Sequence, residues 1–311
     1  MTAMKILVAT EKPFAAAAVN GIREIAQAGG HEVVLLEKYT SADQLMKAVA
    51  DADALIVRSD KVTKEVVDAA KSLKIVVRAG AGYDNICLDA CTQRGIVVMN
   101  TPGQNSNAVA ELAIAMMIYM SRNCFTPGTG SEIRGKKVGI QAYGNVGRLV
   151  AEKAKAMGME VMAFDPFVDS SAMEAEGVTP ASSIEQMYSS CDFISLHIPA
   201  TPLTRESIGY DLLTRMPAGG CLVNTARKEV INEAELDKAL TDRPDLKYIT
   251  DIAAVHQAEL DEKFGKRVFA TPKKMGAETA EANINAGLAA ARQIVEFFAT
   301  GCTRFQVNAK K

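Results

Sequence analysis

The stretch KKVGIQAYGNVGRLVAEKAKAMG, Lys136 to Gly158, reads as a strand, a tight turn and an amphipathic helix. A dinucleotide fingerprint needs one residue for the turn, a glycine where backbone approaches a pyrophosphate, and a glycine for close helix–strand packing. Gly144 and Gly147 fill the second and third places, Ala142 stands at the first, and Tyr143 lies between. The N–H groups of Gly144, Asn145 and Val146 would face a phosphate with the positive end of the helix dipole behind them. The next strand, EVMAFDP, ends on Asp165, 18 residues after Gly147 and near the spacing of a ribose-binding carboxylate. A carboxylate there accepts from ribose hydroxyls and repels a 2′-phosphate. Pro166 and Phe167 follow it with no adjacent arginine, so NAD is the expected cofactor. Taken alone, the same residues also suit a ligand-free glycine turn and an ordinary strand-end aspartate.

Outward from this stretch, short Val/Ile-rich runs alternate with longer helical patterns. KILVAT, HEVVLLE, ALIVRS, IVVRAG and GIVVMN precede residue 100; KKVGIQAYG, EVMAFDP, FISLHIP, GCLVNTA, YITDI and RVFATP follow it. Continuous apolar runs of this length suit parallel strands covered by helices on both faces. Two α/β domains are therefore expected, each a doubly wound parallel sheet, and 311 residues suffice for two cores. The run Asn105–Arg122 is apolar almost all round and predicts a buried helix, between domains or at a subunit contact. Ala280–Thr300 predicts a helix ended by Gly301 that returns to the first domain.

Composition excludes several classes. With 48% apolar and 23% charged residues the chain is globular, and a net charge of −2 gives no global field for nucleic acid or anionic lipid. The longest apolar run, Leu112–Met120, is too short for a membrane span, and MTAMKILVAT has no secretory pattern, so a cytoplasmic protein is expected. Six dispersed cysteines without a C-x-x-C pair read as reduced thiols, and no metal set is expected.

Five further segments carry a resemblance: RAGAGYDNI (78–86), NTPGQNSNAVAELAIAMM (100–117), HIPATPLT (197–204), NTARKEVINEAEL (224–236) and TPKKMGAETAEA (271–282). With the glycine turn they make the chain resemble the D-2-hydroxyacid dehydrogenases over nearly its whole length. VRSDKVT (57–63) ahead of RAGAGYDNI looks most like the short phosphoglycerate dehydrogenases of that family, those without an appended regulatory domain. The resemblance implies a flavodoxin-like substrate domain of residues 1–99 plus 285–311 and an NAD-binding Rossmann domain of residues 100–284. It also implies NAD and substrate held in the cleft between them, and a homodimer.

Site residues follow from the same resemblance. Arg227 matches the catalytic arginine, whose fork suits a carboxylate or a developing carbonyl oxygen. The family's Glu–His relay is altered at both positions: His256 stands at the Glu place and Lys273 at the His place, with Lys274 the neighbouring register. A lysine amine is a weak candidate base near neutrality unless it is buried beside another cation such as Arg227, whereas its ammonium can donate directly in the reducing direction. Arg58 and Arg78, with Lys61 nearby, are expected at strand ends where they meet a substrate phosphate. The amides of Gly80, Ala81 and Gly82 suit a carboxylate nest, and Asn105 an amide contact. The implied NAD contacts are Tyr143, Gly144, Asn145, Val146, Gly147, Asp165, Pro166, His197, Ile198, Pro199, Thr204, Thr225, Ala226, Asp251 and Gly276, with His197 a pocket wall and Asp251 facing the nicotinamide amide. His31 is given no role. The expected reaction is NAD-dependent oxidation of a small phosphorylated 2-hydroxy acid, D-3-phosphoglycerate. A hydroxypyruvate or glyoxylate reductase and a non-catalytic NAD sensor stand as alternatives.

Overall fold

The computed structural model describes residues 3–309. The chain divides into two compact units, one made of residues up to Asn105 together with those from Glu278 onward, the other of Ser106–Ala277. The expected limits, 99/100 and 284/285, differ by a few residues, and the difference moves Asn283 into the first unit.

In the first unit the chain alternates β1 (Lys5–Thr10), α1 (Ala16–Ala28), β2 (Glu32–Glu37), α2 (Ala42–Val49), β3 (Ala54–Val57), α3 (Lys64–Ala69), β4 (Ile75–Arg78), α4 (Leu88–Gln93) and β5 (Val97–Asn100). The strands pair in parallel in the order β2-β1-β3-β4-β5, the flavodoxin-like arrangement expected for this half. Their runs are apolar on both faces because helices cover both. One face packs on Leu45, Val66 and Val67, the other on Ile22 and a helix from the far end of the chain. Ser41 and Gln44 form a capping box that starts α2.

The second unit opens with α5 (Ser106–Ser121) and continues β6 (Lys137–Gln141), α6 (Asn145–Ala156), β7 (Glu160–Phe164), α7 (Ser170–Ala175), β8 (Thr179–Pro180), α8 (Ile184–Ser190), β9 (Phe193–Leu196), α9 (Tyr210–Leu213), β10 (Cys221–Asn224), α10 (Glu233–Asp242), β11 (Lys247–Thr250), α11 (Gln257–Phe264) and β12 (Val268–Ala270). Its parallel sheet runs β12-β11-β10-β9-β6-β7-β8, a Rossmann order that reverses direction between β6 and β9. Helix α5 lies against α6 and β10 with Ala113, Met116, Met117 and Met120 buried in this unit's core, so its all-round apolarity is used within the unit.

The last helix, α12 (Ala280–Thr300), belongs to the first unit. Thr279 caps its start through the Ala282 N–H, and Gly301, at φ +73°, ends it in the left-handed conformation that glycine adopts without strain. Close approach to α1 is built into the sequence: a Cβ on Gly21 would lie 2.4 Å from Leu288 Cδ2. Among the described residues no helix is long and apolar enough to cross a membrane, no group of residues could hold a metal ion, and the six cysteines are free.

Candidate active site

The reversal between β6 and β9 leaves a crevice at the carboxyl edge of the second unit's sheet, where such folds place a nucleotide. Ala142, at the first fingerprint position, adopts φ +77°, so the left-handed turn is kept at some strain without a glycine. Gly147 is obligatory for packing: a Cβ would come within 2.3 Å of the Ala142 carbonyl oxygen. At Gly144 a Cβ would meet nothing within 4 Å, and no side chain caps α6 there. Among the described residues no side chain accepts from the first-turn amides of α6, and the space beside Gly144 is open, as a pyrophosphate requires. Asp165 accepts the Tyr143 N–H at 2.8 Å and the Phe167 N–H at 2.9 Å, which locks its carboxylate beside the glycine turn. These residues fit NAD. The Tyr143 side chain is a different matter: its ring is buried, its hydroxyl donates to Glu176 at 2.7 Å, and only its backbone reaches the turn. Pro166 and Phe167 are exposed beyond Asp165.

The loop after β9 carries His197, whose Nε2 shares a hydrogen bond with Ser195 Oγ at 2.9 Å while Nδ1 lies 3.4 Å from Thr225 Oγ1. Burial pushes this imidazole down to about 3, so it is neutral wherever the protein is folded near neutrality. Ile198 is buried, Pro199 exposed, and Thr204 bonds back to the carbonyl of Pro199 and the N–H of Thr201. In the loop after β10, Asn224 accepts the Ala226 N–H at 3.0 Å and donates to the Arg227 carbonyl at 3.1 Å. The half-buried Arg227 guanidinium turns back to the Ala226 carbonyl at 2.9 Å, using one of its donors.

Asp251, at the end of β11, is 1% exposed. Its Oδ1 accepts the Met275 N–H at 2.7 Å and lies 2.9 Å from the Thr271 hydroxyl; its Oδ2 accepts the Gly276 N–H at 2.8 Å. The carboxylate thus fixes the loop that carries Lys273 and Lys274, a role that the spacing alone did not reveal. A Cβ on Gly276 would crowd that carboxylate at 3.0 Å. Lys273 is exposed, so the burial that would favour its amine form is not present here, and its carbonyl lies 2.8 Å from the Thr271 hydroxyl.

His256 sits at the start of α11 with its side chain 63% exposed and its Nδ1 3.4 Å from Glu259 Oε1. It lines an open cavity of about 710 Å³ with Lys228, Glu233 and Asp237. Among the described residues no hydrogen bond or ion pair joins it to Arg227 or Lys273, so the relay expected of it is not assembled here.

In the first unit, Arg58 follows β3 and Arg78 ends β4. Arg58 lies over the Phe14 ring at 5.3 Å, donates to the Lys12 carbonyl at 3.3 Å and reaches the Asn283 side-chain oxygen. Arg78 donates from Nε to the Arg58 carbonyl at 3.0 Å, so backbone ties the two cations together. Buried Asp60 organises the loop by accepting the N–H groups of Glu11 and Arg58 and the hydroxyl of Tyr39, and Asn85 donates to the carbonyls of Arg58 and Asp60. Sequence reasoning missed Asp60, Asn85, Phe14 and Asn283, whose roles come from tertiary placement. The Gly80 amide is not part of a free nest, because it donates to the Arg78 carbonyl at 2.9 Å; among the described residues the Ala81 and Gly82 amides have no acceptor. Asn105 is half-buried at the end of the unit, and Lys61 is exposed.

Residues 114–273 match the family model described as "D-isomer specific 2-hydroxyacid dehydrogenase, NAD binding domain". A D-3-phosphoglycerate dehydrogenase of Methanocaldococcus jannaschii is 34% identical over 267 residues, covering 81% of this chain and 51% of that protein. A hydroxypyruvate reductase of Thermotoga maritima is 34% identical over 276 residues, covering 83% of this chain and 88% of its own. The NAD⁺-bound crystal structure of 3-phosphoglycerate dehydrogenase in Entamoeba histolytica superposes with a TM-score of 0.88 at 49% identity, covering 100% of both chains. The fold and the nucleotide crevice define an NAD-binding dehydrogenase architecture. The chain belongs to the D-isomer specific 2-hydroxyacid dehydrogenase family, with its NAD-binding domain in the second unit. It spans about half the length of most of the curated relatives it matches.

Proposed function

We propose that this chain is an NAD-dependent D-3-phosphoglycerate dehydrogenase. The observation that carries the proposal is the backbone-tied pair Arg58 and Arg78, a divalent cationic patch suited to a phosphate rather than to a lone carboxylate. The 49% identity to the Entamoeba histolytica enzyme across both whole chains supports it.

When bound, NAD supplies the hydride acceptor; Asp165, the α6 amides and the loops after β9 and β10 hold it. Arg227 keeps its remaining donors for the substrate carboxylate or the oxygen at C2, where it stabilises charge without changing its own. Lys273, exposed in this structure, serves the reducing direction directly, its ammonium donating the proton to the carbonyl oxygen at C2; in oxidation its amine takes the C2 hydroxyl proton, a role that burial beside Arg227 and NAD⁺ would favour. Asp251 keeps the Lys273 loop in place. The protein is proposed to work as a cytoplasmic homodimer, which light scattering checks.

NADH formation with D-3-phosphoglycerate, D-glycerate and D-lactate tests the substrate. Turnover of the phosphorylated acid alone is expected; turnover of D-glycerate alone would move the assignment to hydroxypyruvate reduction. Lys273→Ala is expected to lower kcat by about 10²–10⁴-fold with NADH affinity intact, and near-wild-type turnover would remove Lys273 from the proton step.

A further inference from the structure

The opposite edge of the same sheet carries a smaller polar cavity, of about 150 Å³. Lys136 immediately precedes β6, Asp192 precedes β9 and Lys247 opens β11, so parallel pairing gathers all three at the amino edge. Ser121, the last residue of α5, and Ser131 complete the polar lining. Ser121 is 6% exposed, and its hydroxyl oxygen is buried with no hydrogen-bond partner among the described residues. Native interiors rarely leave such a group unmatched.

The ammonium groups of Lys136 and Lys247 are likewise uncommitted: both residues are half-buried, and neither forms an ion pair among the described residues. Their neighbour Lys137 behaves differently, pairing with Glu160 at 3.2 Å. Asp192 is the one carboxylate in the lining, and its Oδ2 accepts the Lys137 N–H at 2.8 Å. Two ammoniums against one carboxylate leave a positive balance, and the unmatched Ser121 hydroxyl lies just behind the lining. The Ser121 carbonyl does not compete, because it accepts the Ser131 N–H at 2.8 Å.

We propose that this cavity binds a small tetrahedral oxyanion of the phosphate type, held by the Lys136 and Lys247 ammoniums; the Ser121 hydroxyl, shielded from solvent in this structure, joins them by turning about its Cα–Cβ bond. Its volume suits one such ion with a few waters and is too small for a nucleotide. It stands a strand's length, roughly 15 Å, from the α6 amides, so it is not the pyrophosphate site. The inference does not rest on the dehydrogenase assignment.

Inorganic phosphate binding, followed by calorimetry at fixed ionic strength on the full chain carrying Arg58→Ala, tests it. That substitution weakens the arginine cluster of the first unit, and saturating NADH occupies the α6 amides, so that neither competes as an anion site. Saturable binding is expected, weakened at least about tenfold by Lys136→Met with Lys247→Met and kept in the control Lys137→Met with Lys153→Met, which removes the same two charges outside the lining. Ser121→Ala provides a second measurement if the double variant fails to fold. It removes an unmatched buried hydroxyl, so its melting temperature in phosphate-free buffer should equal or exceed that of the parent, while the rise produced by added phosphate shrinks. Glycerol 3-phosphate separates the sources of the ligand: equal binding assigns the site to the head of a phosphoester, and binding of inorganic phosphate alone assigns it to the free ion. No saturable binding in the Arg58→Ala chain, or binding unchanged in both the lysine and serine variants, overturns the proposal.

Discussion

Gly80 is fixed by the side chain two residues before it. A Cβ there would fall 1.5 Å from Arg78 Nη1, and the residue already holds φ +146°, which few side chains tolerate. Gly80→Ala must therefore push the guanidinium away from the place where it lies beside Arg58. KM for D-3-phosphoglycerate is expected to rise by about tenfold or more, the worth of one charge-assisted bond, with NADH affinity unchanged; an unaltered KM would dissociate Arg78 from substrate. His197 allows a second prediction. Its ordinary value of 6.5 applies to the unfolded chain, while in the fold burial holds it near 3. Between those values the unfolded chain takes up a proton that the folded one refuses. Stability is therefore level above pH 6.5 and falls on acidification below it, by at most about 1.4 kcal/mol per pH unit from this group. Urea unfolding at pH 7 and pH 5 should show a smaller loss in His197→Gln than in the parent.

At the scale of elements, the loop Thr271–Gly276 has no regular structure of its own, and the buried Asp251 carboxylate accepts two of its backbone N–H groups. Asp251→Asn replaces one acceptor oxygen with a donor facing backbone N–H groups, at a cost of about 1–3 kcal/mol. Hydrogen exchange at Met275 and Gly276 should quicken, and kcat should fall more than NADH affinity; unchanged exchange would show that other contacts hold the loop. The strands were legible in the sequence because parallel strands covered on both faces must be apolar throughout, and the runs containing Ile6–Ala9 and Leu222–Val223 could be little else. β8 was not legible, since Thr179–Pro180 is a two-residue edge strand with neither length nor pattern. The glycine turn and Asp165 were legible because their spacing is set by local geometry. The resemblance located a position for His256 but could not determine where its ring points, and it lies beside Glu259. Asp60 escaped notice for a similar reason: its donors come from Glu11, Tyr39 and Arg58, which only the fold assembles.

At the scale of the molecule, the first unit is discontinuous in sequence and its core is completed by α12. Ala286, Ala290, Ala291 and Ile294 fill the layer between α1 and the face formed by Ile6, Val8, Ile56 and Val77. Ile294→Ala should cost about 2–5 kcal/mol. The loss should appear as faster hydrogen exchange in β1, β3 and β4, with β6 and β9 unaffected; equal acceleration in both sheets would mean that the units unfold as one. During synthesis the ribosome delivers Ser106–Ala277 before α12 emerges. At ordinary elongation rates the nascent β1–β5 sheet then waits roughly 10–30 s with one apolar face covered by α1 alone. That interval is when the chain would most need a chaperone, although its middle segment can already have folded.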